Sequence, residues 1–195
     1  MMRMNIIVTF IFLSWPTNLA ISVSHNGKRY VEDACSVTHY RDLCIHSLAS
    51  FSNTAKRNPC KWARAGVSVT ISDAKRVAQY LIRVKKQGHM RGKNRVALSD
   101  CIECIQDSLD NLHRSLGVLR KLSGRTFDAQ MSDVTTWTSA SLTDEETCLD
   151  GFKGQKGNQI RILQSQVQNV TYITSNALAL VAKLASTGAG SINSP

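Results

Sequence analysis

Between residues 96 and 122, Leu98, Ile102, Ile105, Leu109, Leu112, Leu116 and Leu119 alternate by fours and threes without a break. That spacing draws one apolar line along one side of an α-helix, whereas the two-residue period of a strand would scatter the same residues over both faces. Three more segments repeat the pattern. Over 61–86 it runs through Ala63, Val67, Ile71, Ala74, Ala78 and Leu81; over 131–152 through Val134, Trp137, Ser141, Cys148 and Phe152; over 159–184 through Ile160, Leu163, Val167, Val170, Thr174, Ala177, Val181 and Leu184. The chain has three prolines, and none falls inside a segment: Pro59 stands where a helix can begin, and Pro16 and Pro195 lie near the ends. Stop signals follow at Ser123-Gly124 and at Gly151 and Gly154. Helices of this length with short connections pack as antiparallel neighbours. The expected fold is all-α: an up-down-up-down four-helix bundle over 61–186, preceded by a helical hairpin region at 25–60 and followed by a flexible tail at 187–195.

The first residues read differently. Arg3 precedes an apolar run over 5–13, and small residues follow toward Ser24, the order of a secretory signal peptide over 1–24 that is too short to cross a bilayer. No later segment is apolar enough to span one. Export places the cysteines in an oxidising compartment, where structural disulfides persist. The formal charge is +10, and +9 once a leader whose only charged residue is Arg3 is removed. A chain so charged is drawn to polyanions. Nucleic acid is not the expected partner, because only 6% of residues are aromatic and no nucleic-acid-binding motif is visible. The densest basic run, over 85–95, reads as a solvated connection between helices.

Cys35 and Cys44 sit close together before the bundle, while Cys101 and Cys148 lie on two different long segments. Counted along antiparallel helices at about 1.5 Å per residue, Cys101 and Cys148 differ in level by roughly 6 Å, so a bridge between them is geometrically reasonable. Cys60 and Cys104 fall about 25 Å apart along the axis by the same count, far beyond disulfide reach. Those two are expected as free thiols or as links to another chain, and Cys60, at a helix start, is the candidate for an exposed thiol and a reducible dimer. Cys101 and Cys104 form a C-x-x-C pair, but without a βαβ context or a second ligand pair it points to neither redox chemistry nor zinc. The five histidines show no metal-ligand spacing, and no catalytic motif such as G-x-S-x-G or H-E-x-x-H occurs. No enzyme activity, cofactor or metal is expected. Asn169-Val170-Thr171 is a glycosylation sequon, with Asn169 beside the apolar stripe and so able to point outward.

Four stretches are distinctive as words: Ala34-Cys35-Ser36-Val37-Thr38-His39-Tyr40-Arg41-Asp42-Leu43-Cys44, Ala97-Leu98-Ser99-Asp100-Cys101, the stretch from Trp137 through Glu145 and Cys148 to Phe152, and Thr174-Ser175-Asn176-Ala177-Leu178-Ala179-Leu180. Together they resemble the plant pectin methylesterase and invertase inhibitor family over most of 31–185. The resemblance implies bridges Cys35–Cys44 and Cys101–Cys148, and activity as a protein inhibitor that covers the substrate cleft of a plant carbohydrate-active enzyme. The third and fourth words look like the pectin methylesterase branch; acid invertase is the alternative target, and a non-inhibitory basic wall protein binding acidic pectin is a further one. Cys60 and Cys104 depart from the family pattern. For the docking face, Thr135, Thr136, Ser139, Thr143 and Glu146 on the third segment offer hydrogen-bonding groups. On the second, Glu103, Gln106, Asp107 and Asp110 form an acidic stripe able to imitate galacturonate carboxylates.

Overall fold

The computed structural model describes residues 25–193; the leader expected over 1–24 and the last two residues of the chain lie outside them. Three short helices come first, α1 (His25–Ala34), α2 (Arg41–Leu48) and α3 (Ser52–Ala55), and four long ones follow: α4 (Pro59–Gln87), α5 (Lys93–Leu119), α6 (Phe127–Asp150) and α7 (Asn158–Thr187). Each long helix packs on its neighbour in the chain, and α7 closes the ring against α4. This is the antiparallel bundle that the apolar stripes require.

Local chemistry fixes the helix ends. The Asn58 side chain accepts the Lys61 N–H at 2.8 Å, and Pro59 occupies the first helical position, so α4 starts two residues earlier than its stripe. Gly88, at φ 68°, ends it in the left-handed conformation that glycine adopts without steric cost. Helix α5 stops at Leu119, short of the stop signal at Ser123-Gly124, because Gln130 takes over the turn. Its Oε1 accepts from the Ser123 N–H at 2.8 Å and the Thr126 hydroxyl at 3.0 Å, while its Nε2 donates to the Lys121 carbonyl at 3.2 Å.

The stripes form the core. Every stripe residue named for α4 and α7 is buried, as are those of α5 except the half-buried Leu109. Gly66 sets the distance between α4 and α7: a Cβ there would lie 3.1 Å from Leu180 Cδ1 and 3.3 Å from the Ala177 Cα. A second apolar cluster joins the hairpin to the bundle, with Val31, Ala34, Cys35, Cys44 and Leu48 packed toward Trp62, Ala65 and Leu180. Cys35 and Cys44 are bridged at a Cα separation of 5.8 Å. The buried Asn176 of α7 completes the docking, donating from Nδ2 to the Tyr40 carbonyl at 2.9 Å and accepting the Tyr40 N–H at 3.1 Å. The Tyr40 ring stacks on Tyr172 one turn away, with centroids 4.0 Å apart.

Two features differ from the sequence expectation. Trp137, expected in the core, is half-buried, and Thr138 takes the inward position with its hydroxyl donating to the Val134 carbonyl at 2.7 Å. The inward stripe of α6 is Val134, Thr138, Ser141, Glu145 and Cys148, and these small or polar residues let α5 approach too closely to admit an indole. After Thr187 the chain makes a short helical turn, Ala189–Asn193, whose Ala189 and Ile192 pack against the bundle core, where a loose tail was expected.

Candidate functional site

Carboxylates are distributed unevenly. Ten of the fourteen Asp and Glu residues lie on α5 and α6, and α6 carries no Lys or Arg at all, whereas α4 has seven Lys and Arg against the single acid Asp73. The α5–α6 side is therefore acidic on a chain that is otherwise strongly basic. Glu103, Gln106, Asp107 and Asp110 are all exposed on α5; on α6 Thr136, Thr143 and Glu146 are exposed, and Thr135 and Ser139 half-buried. The helical period turns Asp107 toward the α6 side of the solvent face and Gln106 toward the α4 side, while Thr135, Ser139 and Glu146 lean toward α7. The nine residues thus belong to one two-helix surface but do not meet in a single cluster.

The strip between the two stripes escaped the sequence reading. Asn111 Nδ2 of α5 donates to Asp144 Oδ2 of α6 at 3.2 Å, and Cys104 lies where the charges of Asp100, Asp107 and Asp144 reach it. Trp137 sits two helical turns before Asp144, on the same side of α6. Partial burial raises the Asp144 pKa from the ordinary carboxylate value, opposed by the Asn111 hydrogen bond and reinforced by Asp107. Its sequence signal was the seven-residue interval from Trp137 to Asp144, masked by assigning the tryptophan to the core.

Beneath this surface the two helices are held rigidly. Cys101 and Cys148 are bridged at a Cα separation of 4.2 Å. Next to the bridge, Glu145 is 0% exposed and points inward between α5 and α7. Its Oε1 accepts from the Ser108 hydroxyl at 2.9 Å and the Thr174 hydroxyl at 2.8 Å, whereas Oε2 has no hydrogen-bond partner. Desolvation raises its pKa to about 8 against the pull of those two hydroxyls, so the carboxyl is protonated at neutral and acid pH. Further along, the Ser141 hydroxyl donates to the Ser108 carbonyl at 3.1 Å and the Thr138 hydroxyl meets Ser115 Oγ at 3.2 Å. The α5–α6 face is consequently a preorganised plate.

Cys60 and Cys104 are both free thiols, as the level count along the helices required, but Cys60 is not the exposed one. Cys60 is 1% exposed, packed into the core under the first turn of α4, so an intermolecular disulfide through it is sterically blocked. Burial raises its pKa, with Arg64 and Lys61 opposing. Cys104 is the more accessible of the two; its thiol is also raised, first by burial and then by Asp144 and Asp107, which disfavours a reactive thiolate. Asn169 is exposed on α7. Among the described residues no group of three His, Cys, Asp or Glu could hold a metal, and no helix is long and apolar enough to cross a membrane.

A family model described as "Plant invertase/pectin methylesterase inhibitor" matches residues 29–180. Over 161 residues the chain is 46% identical to Pectinesterase inhibitor 6 of Arabidopsis thaliana, covering 82% of this chain and 77% of that one. It is 38% identical over 167 residues to Pectinesterase inhibitor 3 of the same plant, covering 82% of each. A crystal structure of mutant form A of a pectin methylesterase inhibitor from Arabidopsis superposes with a TM-score of 0.62 at 17% identity, over 76% of this chain and 92% of that one, and shares its fold.

Proposed function

The chain belongs to the plant invertase/pectin methylesterase inhibitor family, and we propose that it inhibits a pectin methylesterase, laying the outer face of α5 and α6 over the enzyme's substrate cleft in a one-to-one complex. The observation that carries this reading is the concentration of carboxylates on α5 and α6 of a basic chain. A cleft that takes a polyuronate must attract negative charge, and Glu103, Asp107 and Asp110 present it from a rigid helix. Between the charges, Thr136, Thr143 and the half-buried Ser139 supply short hydrogen-bonding side chains that lose little entropy on docking. The bridge Cys101–Cys148 and the buried hydroxyls fix the spacing of the two helices before the enzyme arrives, which lowers the cost of association. Its place of action is the extracellular plant cell wall, consistent with the signal-like N-terminus and two disulfides.

Titration of the purified protein against a pectin methylesterase and an acid invertase, side by side, tests the reading. Stoichiometric loss of esterase activity with invertase unaffected is the expected result. Full esterase activity at micromolar protein, with invertase slowed, would transfer the function to the other enzyme that the family description names. Within an active inhibitor, Asp107→Lys combined with Asp110→Lys should weaken esterase inhibition about tenfold, the scale of 1.4 kcal/mol in binding.

A further inference from the structure

At the end of the bundle away from the Gly88 turn, the surface has the opposite chemistry. A groove of about 570 Å³ runs between α3, the start of α4 and the end of α5. Lys56, Lys61, Arg64 and Arg120 line it, and no carboxylate does. Lys56, Lys61 and Arg120 make no ion pair among the described residues. Four cations held together without counter-charge repel one another, and a bound polyanion would relieve that repulsion.

The groove is also built. Arg64 is half-buried in the groove wall, and its Nε–H donates to the Leu119 carbonyl at 2.7 Å, which ties its guanidinium to the end of α5. Lys56 has φ 48°, an uncommon backbone conformation for a residue with a side chain. Its N–H donates to the Ser52 carbonyl at 3.0 Å, and its own carbonyl accepts the Trp62 indole N–H at 2.8 Å. Strain held in place from both sides keeps Lys56 on the rim, where it also lines a neighbouring cavity of about 160 Å³ with Arg57, Lys183 and the acid Asp33.

We propose that this groove binds a linear polycarboxylate saccharide, the de-esterified stretch of pectin that a pectin methylesterase leaves behind. The identity of the ligand rests on the inhibitor reading; the cationic groove does not. Carboxylates repeating along a sugar chain match several cations along one groove, and the hydroxyl and amide groups of Thr54, Ser68 and Asn53 suit sugar hydroxyls. Nucleic acid fits less well, because Phe51 is the only aromatic residue in the lining and successive bases need stacking partners. The inhibitor would then hold its enzyme with α5–α6 and the wall polymer with the start of α4.

Calorimetric titration of the whole protein with an unesterified oligogalacturonate of about ten sugars, at low ionic strength and without any esterase, tests this independently of inhibition. The expected result is binding of the acid oligomer at least about tenfold tighter than its fully methylesterified counterpart. Lys56→Gln with Lys61→Gln, both exposed, should weaken binding about tenfold, and Lys85→Gln with Lys86→Gln, the same charge change at the far end of α4, about twofold at most. Arg64→Gln, checked for intact helicity by circular dichroism, should match the first pair. Equal weakening by the two lysine pairs would reduce the effect to net charge and overturn the groove. Absence of binding, equal binding of acid and ester, or tighter binding of a single-stranded DNA of equal charge would likewise overturn it.

Discussion

Glu145 allows a sharp test of how the bundle is held together. The carboxyl is completely buried, with one oxygen on Ser108 and Thr174 and the other without a partner, and its pKa rises from 4.5 in the unfolded chain to about 8 in the fold. Between those values the native state keeps a proton that the unfolded state releases, so stability falls as pH rises. The slope is about 1.4 kcal/mol per pH unit and the total about 5 kcal/mol, an order-of-magnitude figure comparable with the whole stability of a domain. The contribution is fully present below pH 4.5 and lost by the time pH passes about 8. Glu145→Gln keeps an acceptor for both hydroxyls but cannot ionise. At pH 5 the variant should be less stable than the parent by about 1 kcal/mol, because its amide adds an unpaired buried donor. At pH 8 it should be more stable by about 2.5 kcal/mol. Urea unfolding of both proteins at half-unit intervals from pH 4.5 to 8.5, disulfides intact, measures the difference directly and cancels the titration of all other groups. A difference that stays constant across that range would refute the buried-carboxyl argument.

Two further outcomes follow from the cysteines. Replacing Cys101 and Cys148 together by serine should cost about 4 kcal/mol, the chain-entropy value for a 47-residue separation, read as a lower guanidinium midpoint under non-reducing conditions. In native protein at neutral pH, Cys60 should resist alkylation entirely and Cys104 should react slowly, while both label at once in denaturant; mass mapping of the labelled peptides reports it, and a native Cys60 adduct would contradict its burial.

The periodicity of the sequence determined the fold class because an apolar stripe specifies which side of a helix is buried before any partner is known: Ala63 to Leu81, Leu98 to Leu119 and Ile160 to Leu184 read directly as helix faces. The same logic carried the exposure of Glu103, Asp107, Thr136 and Thr143, since residues off the stripe face water. On the α6 segment it placed Val134, Ser141, Cys148 and Phe152 correctly but put Trp137 inside where Thr138 points inward, and it did not find the buried Glu145. Polar residues there are buried only because hydroxyls and a carboxyl on three different helices satisfy one another, a property of the assembled bundle that no single segment encodes. The words that mark the family likewise concealed their physical roles until Asn176 was seen gripping Tyr40 and Thr174 holding Glu145, contacts 136 and 29 residues apart in sequence. The cationic groove is a tertiary product for the same reason: Lys56 and Lys61 become neighbours of Arg120 only when α5 returns alongside α4. Helical periodicity is a local property of the chain, whereas the pairing of charges and hydrogen bonds depends on which distant residues packing brings together.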